Sequence, residues 1–369
     1  MSQPEYAEPT APTSLSIVAR LIAAAIGFVL LADLSVTSHS AGGAPTPSSA
    51  LRGQSLVLAD PTLLADGSGL PRLAPPAPKP AAVTHPARPS HVAPAKARSH
   101  AAKPHRAVVR RWLPTGTGMW LHQWDRSNGG NAKAIVKRAK QNGITTLFVR
   151  GWSKRDGYEA PRALRALLPA TKHTNIKVVV WEFVYLKNPV AEARRLAAEA
   201  KIGVRGAPRV VAVAPDIETA AEGTAINSRR VLLYMKTLRA ALPRNVSILA
   251  TVPWPSEHRV GKFPYAAAAK YANAILPMAY WYNRSPVAVT ATSIRFLRRY
   301  HRPIMPVGQG YDGRLDAPWL PRANISKQVG AFLVTARRSK VRAVSLWSWQ
   351  TASSAVWVKL SRARSVYGK

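Results

Sequence analysis

Asp216 and Glu218 stand two residues apart at the end of an apolar run, Arg-Val-Val-Ala-Val-Ala-Pro-Asp-Ile-Glu over 209–218, in a chain with only 17 acidic residues. Side chains two apart on a strand share a face, so the two carboxyls are expected to project together from one strand end. Val210, Ala212 and Ala214 share their parity and are mostly small. Val211, Val213, Pro215 and Ile217 occupy the other parity and are all apolar. Small residues and late charges on one side, with bulky apolar residues on the other, fit a strand of a parallel α/β barrel. Two carboxyls so placed are suited to acid/base work on a glycosidic bond.

In such a barrel, chemistry gathers at the C-terminal strand ends. Seven other apolar runs end in residues of this kind. The run at 119–124 leads to Asp125, 145–150 ends at Arg150, and 177–184 carries Glu182 in phase with Val178 and Val180. The run at 246–252 leads to Trp254, and 274–280 places Met278, Tyr280 and Tyr282 on one parity. The run at 303–308 leads to Gln309, Tyr311 and Asp312, and 343–349 carries Trp347 and Trp349. Acids beside Trp and Tyr rings form a polar floor with stacking walls, as a sugar ring requires. Candidate catalytic residues are Glu218, Asp216 and Tyr280. Candidate substrate-binding residues are Asp125, Glu182, Arg150, Trp254, Met278, Tyr282, Gln309, Asp312, Trp347 and Trp349. His122 and His173 show no ligand spacing and read as structural, and neither a metal nor another cofactor is expected.

Helical patterns separate most of these runs. Residues 132–141 end at Asn142-Gly143, a C-cap signal. Residues 190–201 end before Gly203, residues 228–242 end before Pro243, and residues 328–338 precede the last run. Strands alternating with helices predict a parallel sheet, and eight units in about 250 residues predict a (β/α)8, or TIM, barrel over 112–369. The Pro-rich interval 311–326 is expected to be a loop over the site.

Ahead of the barrel the composition changes twice. Residues 21–32 are uncharged and follow Arg20, with small residues at 38–44. Twelve apolar residues suit a signal-peptide core better than a full membrane span, so 1–40 is expected to be a signal peptide or a retained signal anchor, and the protein extracytoplasmic. Residues 41–111 are a Pro/Ala-rich basic linker without an acid from 71 onward. Such a segment buries no core and is expected to be a disordered, extended spacer. Its four histidines read as solvated. The chain has no cysteine, which excludes disulfides, Cys-ligated zinc and Cys nucleophiles. The formal charge of +36 is not confined to the linker, since 112–369 holds 42 Lys and Arg against 12 acids. That balance favours anionic partners such as a cell-wall polymer or anionic lipid. Without a nucleic-acid-binding motif a nucleic-acid partner is not expected, and the protein is expected to be a monomer.

The residues resemble glycoside hydrolases of family 18, the chitinase-like group. That family's strand-four Asp-x-Glu is matched by Asp216-Ile217-Glu218, its strand-six Met-x-Tyr by Met278-Ala279-Tyr280, and its strand-eight Trp by Trp347 or Trp349. The resemblance implies Glu218 as general acid, Asp216 as the residue orienting a substrate N-acetyl group, and Tyr280 as its helper. Three features depart from the pattern. Ala214 stands where a further acid is usual, Trp281 where an Asp is usual, and the Gly-rich third-strand signature is missing. The lysozyme-like family 25 is similar through the same Asp-x-Glu and the late Trp-x-Trp-Gln, but its first-strand Asp has no counterpart here at Trp120, although Asp125 lies nearby. The chain also resembles uncharacterised exported bacterial barrel proteins with a Gly-Met-Trp opening strand. The expected activity is hydrolysis of an amino-sugar polysaccharide. A separate nucleophile, Glu182 or Asp125, would need to lie roughly 5 Å from the acid. A non-catalytic glycan-binding barrel is the alternative; Glu218 in an open cleft favours the enzyme, and Glu218 buried against Arg150 favours the binder.

Overall fold

The computed structural model describes residues 111–154 and 157–367, with side chains described to residue 362. The expected targeting segment and nearly all of the expected linker lie outside the described residues. Among the described residues, no helix is long and apolar enough to cross a membrane.

Eight parallel strands close into a ring in chain order. They are β1 (Gly116–Leu121), β2 (Ile144–Arg150), β3 (Lys177–Val184), β4 (Ala212–Ile217), β5 (Ser247–Pro253), β6 (Ala274–Ala279), β7 (Val307–Gln309) and β8 (Ala343–Trp347). The ring closes where β1 pairs with β2 through Trp120 and Phe148, and with β8 through Met119 and Leu346. The helices that cover it are α1 (Ala132–Gln141), α2 (Ala160–Ala170), α3 (Pro189–Glu199), α4 (Ser228–Ala241), α5 (Tyr265–Lys270), α6 (Pro286–Leu297), α7 (Ile325–Arg338) and α8 (Ser354–Tyr367). This is the expected (β/α)8 barrel.

Local chemistry explains where the helices begin and end. Asn131, Asn188, Asn227, Ser285 and Asn324 each accept a backbone N–H of the first turn, at 2.8–3.3 Å. These caps satisfy donors that the helix itself leaves open. Gly143, just past α1, adopts φ 68°, the left-handed geometry that glycine tolerates at a helix end. In α1, Ile135, Val136 and Ala139 are buried, a one-sided apolar face laid on the strands.

The core has two layers. Inside the ring, Trp120, Phe148, Trp181, Leu249, Leu276 and Val307 pack with Ala212, Ala214, Ala274 and Ala343. The large rings come from β1–β3, and alanines on β4, β6 and β8 leave room for them. Trp120 stacks on Phe148 at 4.3 Å and donates to Ser345 Oγ at 3.0 Å. A methyl group on Gly118 would come within 2.7 Å of the Phe148 ring, so this position needs glycine for the stack to form. Outside the ring, helix residues such as Leu164, Leu167 and Leu168 share one larger buried layer with outward strand residues including Val213 and Ile217.

Candidate active site

Alternation along β4 sends Ala212 and Ala214 into the inner layer and Val213 and Ile217 into the outer one. Asp216 continues the inward parity at the C-terminal end of the strand and is buried. Its Oδ1 has no hydrogen-bond partner. Glu218 lies one step beyond the strand and is half-buried. Burial, reinforced by the Glu222 charge, pushes the Asp216 carboxyl up to about 7. Burial also pushes Glu218 well above the usual carboxylate range, helped by Asp216 and Glu222 and opposed by Arg259. Two nearby carboxyls in a low-dielectric site resist ionising together. The pair therefore keeps a proton near neutrality, where an isolated carboxyl holds none. Glu222 is fixed by a capping box, accepting from the backbone N–H of Thr219 at 3.1 Å and from its hydroxyl.

Tyr280, on β6's inward parity, packs against the inner layer. Burial raises its hydroxyl pKa, and Asp216 and Glu218 raise it further, so the group stays protonated as a donor facing the two acids. Tyr311 meets the Tyr280 ring edge-on at 6.4 Å. The Tyr311 hydroxyl donates to buried Asp316 and lies 3.4 Å from that of Tyr282. Burial raises Asp316 too, although the hydrogen bonds from Tyr311 and Tyr282 oppose it. Gln309 is fully buried and clamps the two tyrosine segments. Its Oε1 accepts from Tyr282 N at 2.8 Å, and its Nε2 donates to Tyr311 O at 3.1 Å. The floor of this mouth is aromatic, with Trp347 meeting Trp120, Trp181 and His122 at 5.9, 5.3 and 5.1 Å between ring centres.

The structure thus brings Asp216, Glu218, Tyr280, Tyr282, Gln309 and Trp347 to one mouth. Met278 shares Tyr280's parity and is buried beneath it. Other candidates lie elsewhere. Asp125 is four residues past the end of β1, exposed, and paired with Arg162 at 2.6 Å. Arg150 ends β2 but pairs with Glu159 at 2.7 Å, and the cation acting on Glu218 is Arg259. Trp254 packs with the outer layer, 5.9 Å from the Arg284 guanidinium. Asp312 caps a short turn and binds Arg314 at 2.6 Å, which holds its carboxyl below the usual range. Trp349 falls beyond β8 into the outer layer, 4.8 Å from Trp357, and donates to Asn128 at 3.0 Å. Trp281, at the position where an Asp is usual in family 18, is fully buried in the outer layer and donates to Gln328 at 3.1 Å.

Glu182 corrects the expected parity of β3. Val179 and Trp181 face inward, so Glu182 points out toward α3 and pairs with Arg195 at 2.8 Å. Glu199 of α3 lies against it, and no N–H group reaches the Glu199 carboxyl. A methyl group on Gly151 would sit 1.8 Å from Glu199, so this glycine makes room for the buried acid. The two carboxyls can touch only while one carries a proton, and burial raises both, Glu199 the more. The folded state then holds more protons than the unfolded chain above the ordinary Glu range. Stability from this pair is greatest on the acid side and declines as pH rises. Glu199→Gln, which needs no proton to stay neutral, should raise Tm by several degrees at pH 8 and change it little at pH 4. Thermal unfolding at the two pH values checks this.

Sequence reasoning placed Tyr311 at a strand end without making it a candidate, and missed Asp316, Glu222, Arg259, Trp181 and His122 as members of this neighbourhood. A late aromatic at a strand end pointed toward Tyr311. Asp316 gave no signal, because only the fold of its loop turns it inward. The expected loop at 311–326 does bring Tyr311 and Asp316 to the mouth, around a turn at Gly313–Leu315.

Among the described residues, no group of three His, Asp or Glu side chains is arranged to hold a metal ion. No protein-family model matches the sequence, and no curated protein does. Solved structures with a similar course of chain include the endo-1,4-β-mannanase from Rhizomucor miehei, at 9% identity over 63% of this chain and 86% of that one, TM-score 0.44. The spore cortex-lytic enzyme from Bacillus megaterium QM B1551 is 11% identical over 67% of this chain and 73% of that one, TM-score 0.46. An endo-β-1,3-glucanase of family GH128 from Amycolatopsis mediterranei is 14% identical over 68% of this chain and all of that one, TM-score 0.45. The barrel assignment rests on the closed ring of strand pairings itself. Fold and site together define a parallel (β/α)8 barrel with a raised-pKa carboxyl pair at its C-terminal mouth.

Proposed function

We propose that the protein is a glycoside hydrolase acting on an amino-sugar polysaccharide. The observation that carries this reading is the pair Asp216 and Glu218, on the inward parity at one strand end, both pushed upward in pKa and bordered by Tyr280 and the Trp347 floor. Glu218, protonated, gives its proton to the glycosidic oxygen as the bond to the anomeric carbon breaks. The substrate's own acetamido oxygen bonds to that carbon in place of a protein nucleophile. This step needs no second enzymic carboxylate, which fits the outward placement of Glu182 and the exposed Asp125–Arg162 pair. Asp216 Oδ1, an acceptor without a protein partner, is suited to take the acetamido N–H and offset the charge that develops. Tyr280 donates its hydroxyl to the acetamido oxygen. Water then attacks the anomeric carbon as its bond to the acetamido oxygen breaks and the acetamide re-forms, and the water's proton passes to Glu218, restoring the acid. Glu218 is half-buried and is not paired with Arg150, which binds Glu159, so the arrangement expected of the binding alternative is not met. We also place the protein outside the cytoplasm, carried there by residues 21–32.

Substrate assistance makes the acetyl group decisive. The protein should release reducing ends from N-acetylated chitin oligomers and leave fully deacetylated ones intact. Equal turnover of both would remove Asp216 from the proposed role. The Trp347 ring would stack under the sugar. Trp347→Ala should weaken oligosaccharide binding about tenfold, roughly 1.4 kcal/mol, as read by calorimetric titration.

A further inference from the structure

We propose that the face at the N-terminal ends of the barrel strands binds a flexible anionic polymer carrying repeated phosphate groups. This is a second surface at the opposite end of the strands from the carboxyl pair, and the inference does not depend on the hydrolase reading. Charge in this domain is segregated along the barrel axis. The segment entering β1 and the connections from each helix to the next strand hold eleven Lys and Arg and no Asp or Glu. The eleven acids of 112–369 that fall among the described residues lie on strands, on helix α3 or in the connections at the other end. This face is thus free of acids and carries one sign of charge, and a surface of one sign concentrates ligands of the other.

The face is also concave. Two cavities of about 310 Å3 open on it, and residues 112–115 contribute to both. One is lined by Arg298, Arg302, Lys340 and Arg342 around an apolar base that includes Ile304 and Met305. Among the described residues, none of these four cations is in an ion pair. Two of them are held in place by backbone carbonyls. Arg302 donates to Ala269 O and Lys270 O at 3.3 Å, and Arg298 donates to Ser339 O. Carbonyl anchoring orients the guanidinium groups without neutralising them, as suits planar recognition of phosphate oxygens. The second cavity adds Lys177 and Arg209 beside Asn245.

Two separate cation-lined hollows call for at least two anionic groups joined by a flexible spacer. A lipid bilayer presents its headgroups in a plane and enters such hollows poorly. Single-stranded nucleic acid needs open aromatic platforms, but Trp112 is the one ring among the residues lining the two cavities, and it is partly buried against the inner layer of the barrel. A phosphodiester chain with small spacers meets both requirements.

The test uses the full chain and poly(glycerol phosphate), with binding followed by titration calorimetry at about 50 mM and about 200 mM salt. Lys340→Gln/Arg342→Gln alters two exposed cations that hold no structural hydrogen bond, so its Tm should match the parent. At low salt this variant should lose about tenfold in affinity. A control of equal charge change in the linker, Lys96→Gln/Arg98→Gln, should lose much less. Parent affinity should also fall as salt rises. Equal losses in the two variants would overturn the proposal, because charge alone and not the face would then carry binding. So would tighter binding, at matched phosphate, to phosphatidylglycerol vesicles or to an oligo-dT strand.

Discussion

Glu218→Gln is expected to reduce hydrolysis of N-acetylated oligosaccharide about a thousandfold while leaving oligosaccharide binding and the fold intact. The amide fills the same space and lacks only the proton that the leaving oxygen needs. Glu218 is half-buried at the mouth, and its carboxyl is raised by burial and by Asp216 and Glu222, so replacing it with a neutral amide removes an electrostatic cost. Tm should therefore hold or rise. The parent's activity should fall on the alkaline side, where Glu218 loses its proton, since an acid catalyst acts only while protonated. Turnover close to the parent's in Glu218→Gln would exclude Glu218 as the proton donor. A fall in Tm alongside lost activity would instead point to a structural role.

Asp216→Asn carries the second large effect, and it separates stability from chemistry. The buried carboxyl titrates at about 7, against an ordinary aspartate value of 3.8. The folded state keeps the proton between those values and the unfolded chain does not. Stability is therefore lost as pH rises from about 4 to about 7, by a total on the order of 4 kcal/mol. Asn stays neutral throughout. At pH 8 the variant should be more stable than the parent by up to that amount, about 10 °C in Tm, and at pH 3 the two should coincide. Hydrolysis should nevertheless be strongly reduced, because the charge that offsets the developing cation is gone. The alkaline limb of any residual activity should also move to lower pH, because Asp216 no longer holds the Glu218 carboxyl up. Thermal unfolding across pH and a pH–rate profile read these separately. A variant no more stable at pH 8 would mean that the Asp216 carboxyl is not held out of its ordinary range.

Much of this was legible in the chain because β4 and β6 alternate cleanly. Ala212, Ala214 and Asp216 on one parity, and Leu276, Met278 and Tyr280 on another, announce which side faces the ring. Strand β3 gives no such signal. Val178, Val179, Val180 and Trp181 are all apolar, since both faces of a parallel barrel strand are buried, and the parity of Glu182 could not be read from them. Its outward position became visible only with Arg195 and Glu199 packed against it. The first strand starts three residues earlier than its apolar run suggested, at Gly116, because glycine and threonine pair in the ring as readily as larger residues. That shift leaves Asp125 in an exposed turn. Trp349 repeats Trp347's pattern but lies past the last paired residue, where the chain turns out to the helices. Asp316 depends on a loop folding back over the mouth, a tertiary event without a local sequence pattern.

This mouth is expected to break a glycosidic bond rather than merely hold a glycan. The most direct measurement incubates the full chain with chitin oligomers and with peptidoglycan, and reads new reducing ends alongside binding by calorimetry. Reducing ends that accumulate with the parent and not with Glu218→Gln, while both bind, are the predicted result. Saturable binding by the parent with no reducing ends released from either glycan would contradict it and leave the barrel a glycan-binding protein.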